Sequence, residues 1–120
     1  MEKNLEISGL LDFYGELLTQ KQREAIEFYY NQDLSLSEIA EHSGITRQGV
    51  RDNIKRAEAQ LLEYEEALAL VARFREITAG LDEIIEHASA LRELNRRVAF
   101  RQDAEDHAQR ILEIAQKLSE

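Results

Sequence analysis

Between Thr46 and Arg56 the chain reads "TRQGVRDNIKR". Four cations, Arg47, Arg51, Lys55 and Arg56, stand here against one acid, Asp52, a local charge of +3. Arg47, Arg51 and Lys55 recur at steps of four, so a helix would carry them along one face, away from the face of Val50, Ile54 and Ala57. The chemistry open to such a face is recognition of a polyanion. Arginine matches the paired acceptors of guanine in the major groove of DNA, and Gln48 could pair with adenine. Thr46 and the N-terminus of the helix could hold a phosphate. The candidate nucleic-acid-binding residues are therefore Thr46, Arg47, Gln48, Arg51, Lys55 and Arg56.

Magnitude opposes this face. The rest of residues 1–65 holds three basic residues against twelve acids, and the whole chain carries a formal charge of −9. Affinity for DNA comes largely from phosphates neutralised, and DNA-binding domains are usually strongly basic. Four cations predict weak binding by a lone monomer, so a second copy or a larger assembly would have to supply the deficit. The competing reading is that the motif builds a compact three-helix core, or serves protein–protein contacts.

The elements that must position these residues announce themselves locally. Ile7, Leu10, Leu11, Tyr14, Leu17 and Leu18 recur at steps of three and four and predict a helix over roughly 4–18. Thr19 with Gln22, and Ser35 with Glu38, form capping boxes. They open a second helix that ends near 31–33 and a third over about 36–43. Gly44 suits a left-handed stop, and Thr46 caps the next helix. Leu34 with Ile39, and Ile45 with Val50, have the spacing of hydrophobic staples. A small residue where two helices cross (Ala40), a glycine four residues on (Gly44), then Ile45 and Val50 plugging the core are the spacing of a helix-turn-helix. In that motif the second helix, from Arg47, presents its N-terminal residues to base edges.

Beyond the motif the apolar pattern becomes a heptad seam: Val50, Ile54, Ala57, Leu61, Tyr64, Leu68 and Val71. With no obvious stop before Thr78-Ala79-Gly80, a rod of about 30 residues and roughly 45 Å is expected. The seam resumes as Leu81, Ile84, Ala88, Leu91, Asn95 and Val98. Ile111, Ile114, Ala115 and Leu118 mark a last segment that Asp103 could start, so 81–119 reads as one helix or two.

The stretch Leu17–Leu68 resembles the YlxM-like family of small bacterial proteins, and its first two-thirds are similar to region 4 of sigma-70-type factors. The carriers are Leu18-Thr19…Gln22-Arg23, Tyr29-Tyr30, Ser35…Glu38-Ile39-Ala40 and Gly44-Ile45-Thr46-Arg47. Val50, Asp52-Asn53-Ile54, Arg56 and Glu58, followed by Leu62, Tyr64-Glu65-Glu66 and Leu68, favour YlxM over sigma. The resemblance implies a helix-turn-helix regulatory protein associated with the signal recognition particle pathway, with Arg47, Gln48 and Arg51 reading DNA. The chain departs from sigma factors in showing no region 2 core and in continuing its recognition helix into the acidic Glu63–Leu68.

Other chemistries find little support. With no cysteine, disulfides, thiolate metal sites and a cysteine nucleophile are excluded. A Glu-x-x-His metal motif is absent, since Ile84 precedes His87 and Ala104 precedes His107. Asp103 and His107 read as a solvated pair, and Glu65 and Glu66 as ordinary acids on an acidic helix. No phosphate loop, nucleophile elbow or Rossmann glycine pattern appears, so no enzyme, cofactor, metal or small-molecule substrate is expected. Phe13, Tyr14, Phe28, Tyr29 and Tyr30 fit a core better than a stacking platform. Arg92, Arg96, Arg97 and Arg101 fit a solvated or salt-bridged face better than a binding patch. Asn95 could fix coiled-coil register or be solvated.

The N-terminus lacks the pattern of a signal peptide, and no apolar run is long enough to span a bilayer. The expectation is an all-α cytoplasmic protein without membrane insertion: a sigma-70 region-4-like helix-turn-helix bundle over 1–66 and a helical extension over 67–120. Self-association as a homodimer is expected through the helices after Ala57. The leading function is a DNA-binding regulator. The alternative is a non-DNA accessory protein that binds a protein or ribonucleoprotein of the signal recognition particle or secretion machinery.

Overall fold

The computed structural model describes Met1–Glu120. It contains α1 (Leu5–Tyr14), α2 (Gln20–Tyr30), α3 (Leu36–Ser43), α4 (Arg47–Leu68), α5 (Leu70–Arg97) and α6 (Gln102–Ser119), a short 3-10 turn at Gly15–Leu17, and no strand. The chain divides into two compact units, Met1–Val71 and Ala72–Glu120.

In the first unit the helix starts obey their local signals. The Thr19 and Ser35 hydroxyls accept from the backbone N–H of Gln22 and Glu38 at 3.3 and 3.1 Å, and those side chains accept in return from the capping residues' own N–H groups. Each box satisfies two amides that a helix start leaves without partners. Gly44 ends α3 at φ +72°, where its N–H bonds to the Ala40 carbonyl at 2.9 Å. That backbone region is open to glycine at no steric cost. α1 is shorter than the periodicity suggests. The chain leaves the helix through the 3-10 turn, and Leu18 becomes extended, at ψ 156°, ahead of the Thr19 cap. This swings Leu18 into the core, where it is 7 % exposed.

α4 is the shared spine. Val50 and Ile54 pack with Ala25, Tyr29, Ile39 and Ala40 from α2 and α3. Ala57 and Leu61 pack with Ile7, Leu10, Leu11 and Tyr14 from α1 and with Ile26 from α2. Of the five aromatics expected in the core, Tyr14 and Tyr29 are buried, Phe28 and Tyr30 are partly buried, and Phe13 is 42 % exposed.

The long rod does not form. α4 stops at Leu68, Ala69 takes a left-handed φ of +52°, and α5 begins at once and runs straight through Gly80. The cause is a tertiary cap. The Tyr14 hydroxyl donates to Glu65 Oε1 at 2.7 Å and accepts from the Leu70 N–H at 3.0 Å. The same Glu65 oxygen accepts from the Val71 N–H at 3.1 Å. Two amides freed by the break therefore have partners, and Glu65 acts as a structural cap rather than a solvated acid. Burial, and then the bond to Glu65, push the Tyr14 phenol above its usual value. The seam residues Ala57, Leu61 and Val71 are covered inside this unit, so of the helices after Ala57 only residues beyond them are open to a second copy.

The second unit is an antiparallel hairpin, so 81–119 forms parts of two helices. Ala88 on α5 and Ala108, Leu112 and Ala115 on α6 are buried. Arg92 donates to Gln109 at 2.8 Å, and Arg96 Nε donates to Glu105 at 2.9 Å. Asn95 neither fixes a coiled-coil register nor idles in solvent. Its amide donates to the Arg101 carbonyl at 3.0 Å and accepts from the Arg101 N–H at 3.1 Å, clamping the turn. α6 starts one residue before Asp103, which pairs with Arg101 at 2.8 Å. Of the second basic cluster, Arg96 and Arg101 are thus in ion pairs. No helix is long and apolar enough to cross a membrane.

Candidate nucleic-acid interface

α3, the turn at Gly44-Ile45-Thr46 and α4 form the helix-turn-helix. Thr46 Oγ1 accepts from the Gly49 N–H at 2.9 Å and so caps α4. Its hydroxyl oxygen is already engaged in holding the helix start, the region where a phosphate would be bound. Gly49 sits at a close approach, where a side chain would press on the cap. A Cβ there would lie 3.2 Å from Thr46 Oγ1 and 3.6 Å from Ile45 Cδ1. Ile45 does not plug the core as expected. Val50 and Ile54 fill it beneath, and Ile45 lies over Gly49 at 43 % exposed.

Arg47, Gln48, Arg51 and Lys55 are all exposed on α4. Their availability differs. Arg47 and Arg51 form no ion pair. Lys55 lies 3.5 Å from Glu58 Oε1. Glu58 is a buried carboxylate that also accepts from the Tyr30 hydroxyl at 2.5 Å. Burial first, and that bond second, push the Tyr30 phenol up to about 12. The Gln48 amide donates to Asp52 at 3.0 Å, so reading a base with both of its groups requires breaking that bond.

Arg56 belongs elsewhere. At 3.6 residues per turn it points about 140° from Arg51. It lines a groove of about 520 Å³ together with Lys21 and Ala25 of α2, Ile39 of α3, and Ile45 and Asn53. The six candidates therefore divide into a cap (Thr46), an outward face (Arg47, Gln48, Arg51, Lys55) and a groove wall (Arg56). Glu58 and the groove were missed from the sequence. The i, i+4 spacing of Gln48 and Asp52, and the i, i+3 spacing of Lys55 and Glu58, were the signals that could have revealed the partial neutralisation. No group of three or more His, Cys, Asp or Glu side chains is placed to hold a metal ion.

Residues 1–101 match the model of the UPF0122 family, described as "Putative helix-turn-helix protein, YlxM / p13 like". The chain belongs to the UPF0122 family. A UPF0122 protein of Clostridium kluyveri is 48 % identical over 91 residues, 76 % of this chain and 82 % of that protein. One from Halalkalibacterium halodurans is 47 % identical over 97 residues, 78 % and 89 % of the two chains. One from Bacillus cereus is 46 % identical over 101 residues, 82 % and 92 %. The UPF0122 match ends at residue 101, immediately before α6 begins.

Proposed function

We propose that this UPF0122 chain is a DNA-binding regulatory protein, without catalytic activity, that works in the cytoplasm. The observation that carries the reading is the pair Arg47 and Arg51, exposed and free of ion pairs on the first turns of α4, behind a capped, left-handed turn. These turns are the part of a helix-turn-helix that enters the major groove. Gln48 supports readout once released from Asp52, and Lys55 supplies a weakened phosphate contact. Self-association would double the face and offset the acidic body, since each added phosphate contact steepens the salt dependence and raises affinity.

A second reading is favoured by the same ion-pairing: Lys55 and Gln48 are held by Glu58 and Asp52. A face so moderated suits a protein or ribonucleoprotein, and the signal recognition particle machinery supplies the candidate partner. Retention of pooled genomic DNA fragments across a salt series separates the two. Wild-type retention should fall steeply with salt, and Arg47→Ala/Arg51→Ala should abolish it. Retention no better than random at low salt ends the regulator reading.

A further inference from the structure

The hairpin buries little beyond three alanines and one leucine. Beside that row, Ile84 and Leu91 on α5, and Val98 just past its end, follow at seven-residue steps and are 47, 57 and 80 % exposed. On α6, Ile111, Ile114 and Leu118 are 43, 43 and 60 % exposed. At 3.6 residues per turn both rows flank the buried one on the same side of the hairpin. The groove between them is lined by Leu91 and Leu94 of α5, by Val98 just after it, and by His107, Ala108 and Ile111 of α6. α6 has 18 residues. At 1.5 Å per residue, with two helices each about 10 Å wide, the face projects on the order of 500 Å² and has a larger accessible area. The largest apolar patch on a typical monomer is about 300–600 Å² and is often functional, and stable interfaces bury about 800 Å² per partner.

The charges at its edges select the occupant. The pairings of Arg92 with Gln109 and of Arg96 with Glu105 set the register of the hairpin. They put Glu83 level with Lys117, and Arg97 level with Asp103, on opposite outer edges. Each end of the face thus shows an acid on one edge and a base on the other. Glu83, Arg97 and Lys117 form no ion pair within the chain. A two-fold axis running along the hairpin would bring Glu83 to the partner's Lys117 and Arg97 to the partner's Asp103. We propose that a second copy of this chain covers the face, hairpin on hairpin about such an axis, closing a four-helix bundle. The proposal rests on the reading that the chain self-associates. It names the surface, which includes α6, beyond the UPF0122 match, and it stands or falls independently of DNA binding.

Light scattering of the full chain at tens of micromolar should give the mass of a dimer. Leu91→Asp/Ile111→Asp should give a monomer of unchanged helical circular dichroism, since both side chains are about half exposed in the single chain. The chain has no cysteine, so Glu83→Cys/Lys117→Cys should form a disulfide-linked dimer on mild oxidation. The two positions sit on opposite edges of their own hairpin, beyond the Cα separation of about 4.4–6.8 Å that a disulfide needs. A monomeric wild type overturns the proposal and leaves the face to a different chain; retained DNA binding in that monomer would leave the regulator reading intact. A dimer that survives the double aspartate variant assigns self-association to another surface. Failure of the cysteine variant to cross-link overturns the two-fold arrangement.

Discussion

α4 and α5 carry the same kind of apolar repeat and meet opposite fates. On α4, Val50, Ile54, Ala57 and Leu61 are all fully buried. On α5, Ala88 is covered, but Ile84 and Leu91 remain about half exposed, and Val98 just beyond its end is more exposed still. The difference lies in what each helix is given to pack on. α1, α2 and α3 surround the α4 row within one unit. The hairpin offers α5 only Ala108, Leu112 and Ala115 of α6 as buried partners, enough to cover one edge of its stripe. A heptad pattern thus shows that a helix has a partner surface and is silent on which chain provides it.

Truncation separates the two fates most sharply. Leu61→Ala should cost about 2–5 kcal/mol, the range for emptying a packed core site. That loss, read by urea unfolding followed by circular dichroism, should be the same at every protein concentration. Leu91→Ala in dilute protein should stay within about 0.5 kcal/mol, as for an exposed position, and should become costly only as concentration rises. If both losses are independent of concentration, the exposed α5 stripe has no partner in a second copy.

The same contrast explains what could be read from the residues. The Thr19, Ser35 and Thr46 caps, the Gly44 stop and the helix-turn-helix they frame were legible because each is settled within four residues. The end of α4 was not. Its cap comes from Tyr14, 56 residues from the Leu70 amide it serves, and the sequence around Ala69 has no glycine to mark a stop. Arg47 and Arg51 were legible as an exposed pair. The pairing of Lys55 with Glu58 was less so, since Glu58 is drawn into the core by Tyr30 of α2. Arg56 was legible as a cation but its place in the groove was not, since the groove is closed by Lys21 and Ala25 of α2 and Ile39 of α3.

Glycine exchange tests the junction against the middle of α5. Ala69 sits in the left-handed region, which costs a non-glycine residue about 1–2 kcal/mol. Part of the gain from Ala69→Gly is returned as unfolded-chain entropy, so a net stabilisation of about 0.5–1 kcal/mol is expected. Gly80 lies inside α5 with open space where a Cβ would stand. Gly80→Ala should stabilise by about 0.5–1 kcal/mol. If Ala69→Gly destabilises instead, the Tyr14–Glu65 cap holds a geometry that glycine loosens, and the junction is set by more than the backbone region of one residue.

The smallest effect is electrostatic, and its sign differs between the two units. In the hairpin, the hydrogen bonds from Arg96 hold the Glu105 carboxyl below its usual 4.5. Because the folded value is depressed, the stability it contributes is present above the unfolded value and is lost as pH falls through the lowered one. In the first unit, Tyr30 has a raised value of about 12. Its contribution is complete below the usual value of 10.0 and is lost as pH rises from there through about 12. Asp33, lowered by its bond from Lys3, adds an acid-side contribution to the first unit as well, so acid alone does not distinguish the two. Substitution does. Glu105→Gln should flatten part of the acid limb of a stability–pH curve and leave the alkaline limb unchanged, and Tyr30→Phe should do the reverse. A Glu105→Gln variant with an unaltered acid limb would mean that Arg96 and Glu105 are screened by solvent, and that the hairpin is held by its alanine row and the Asn95 clamp.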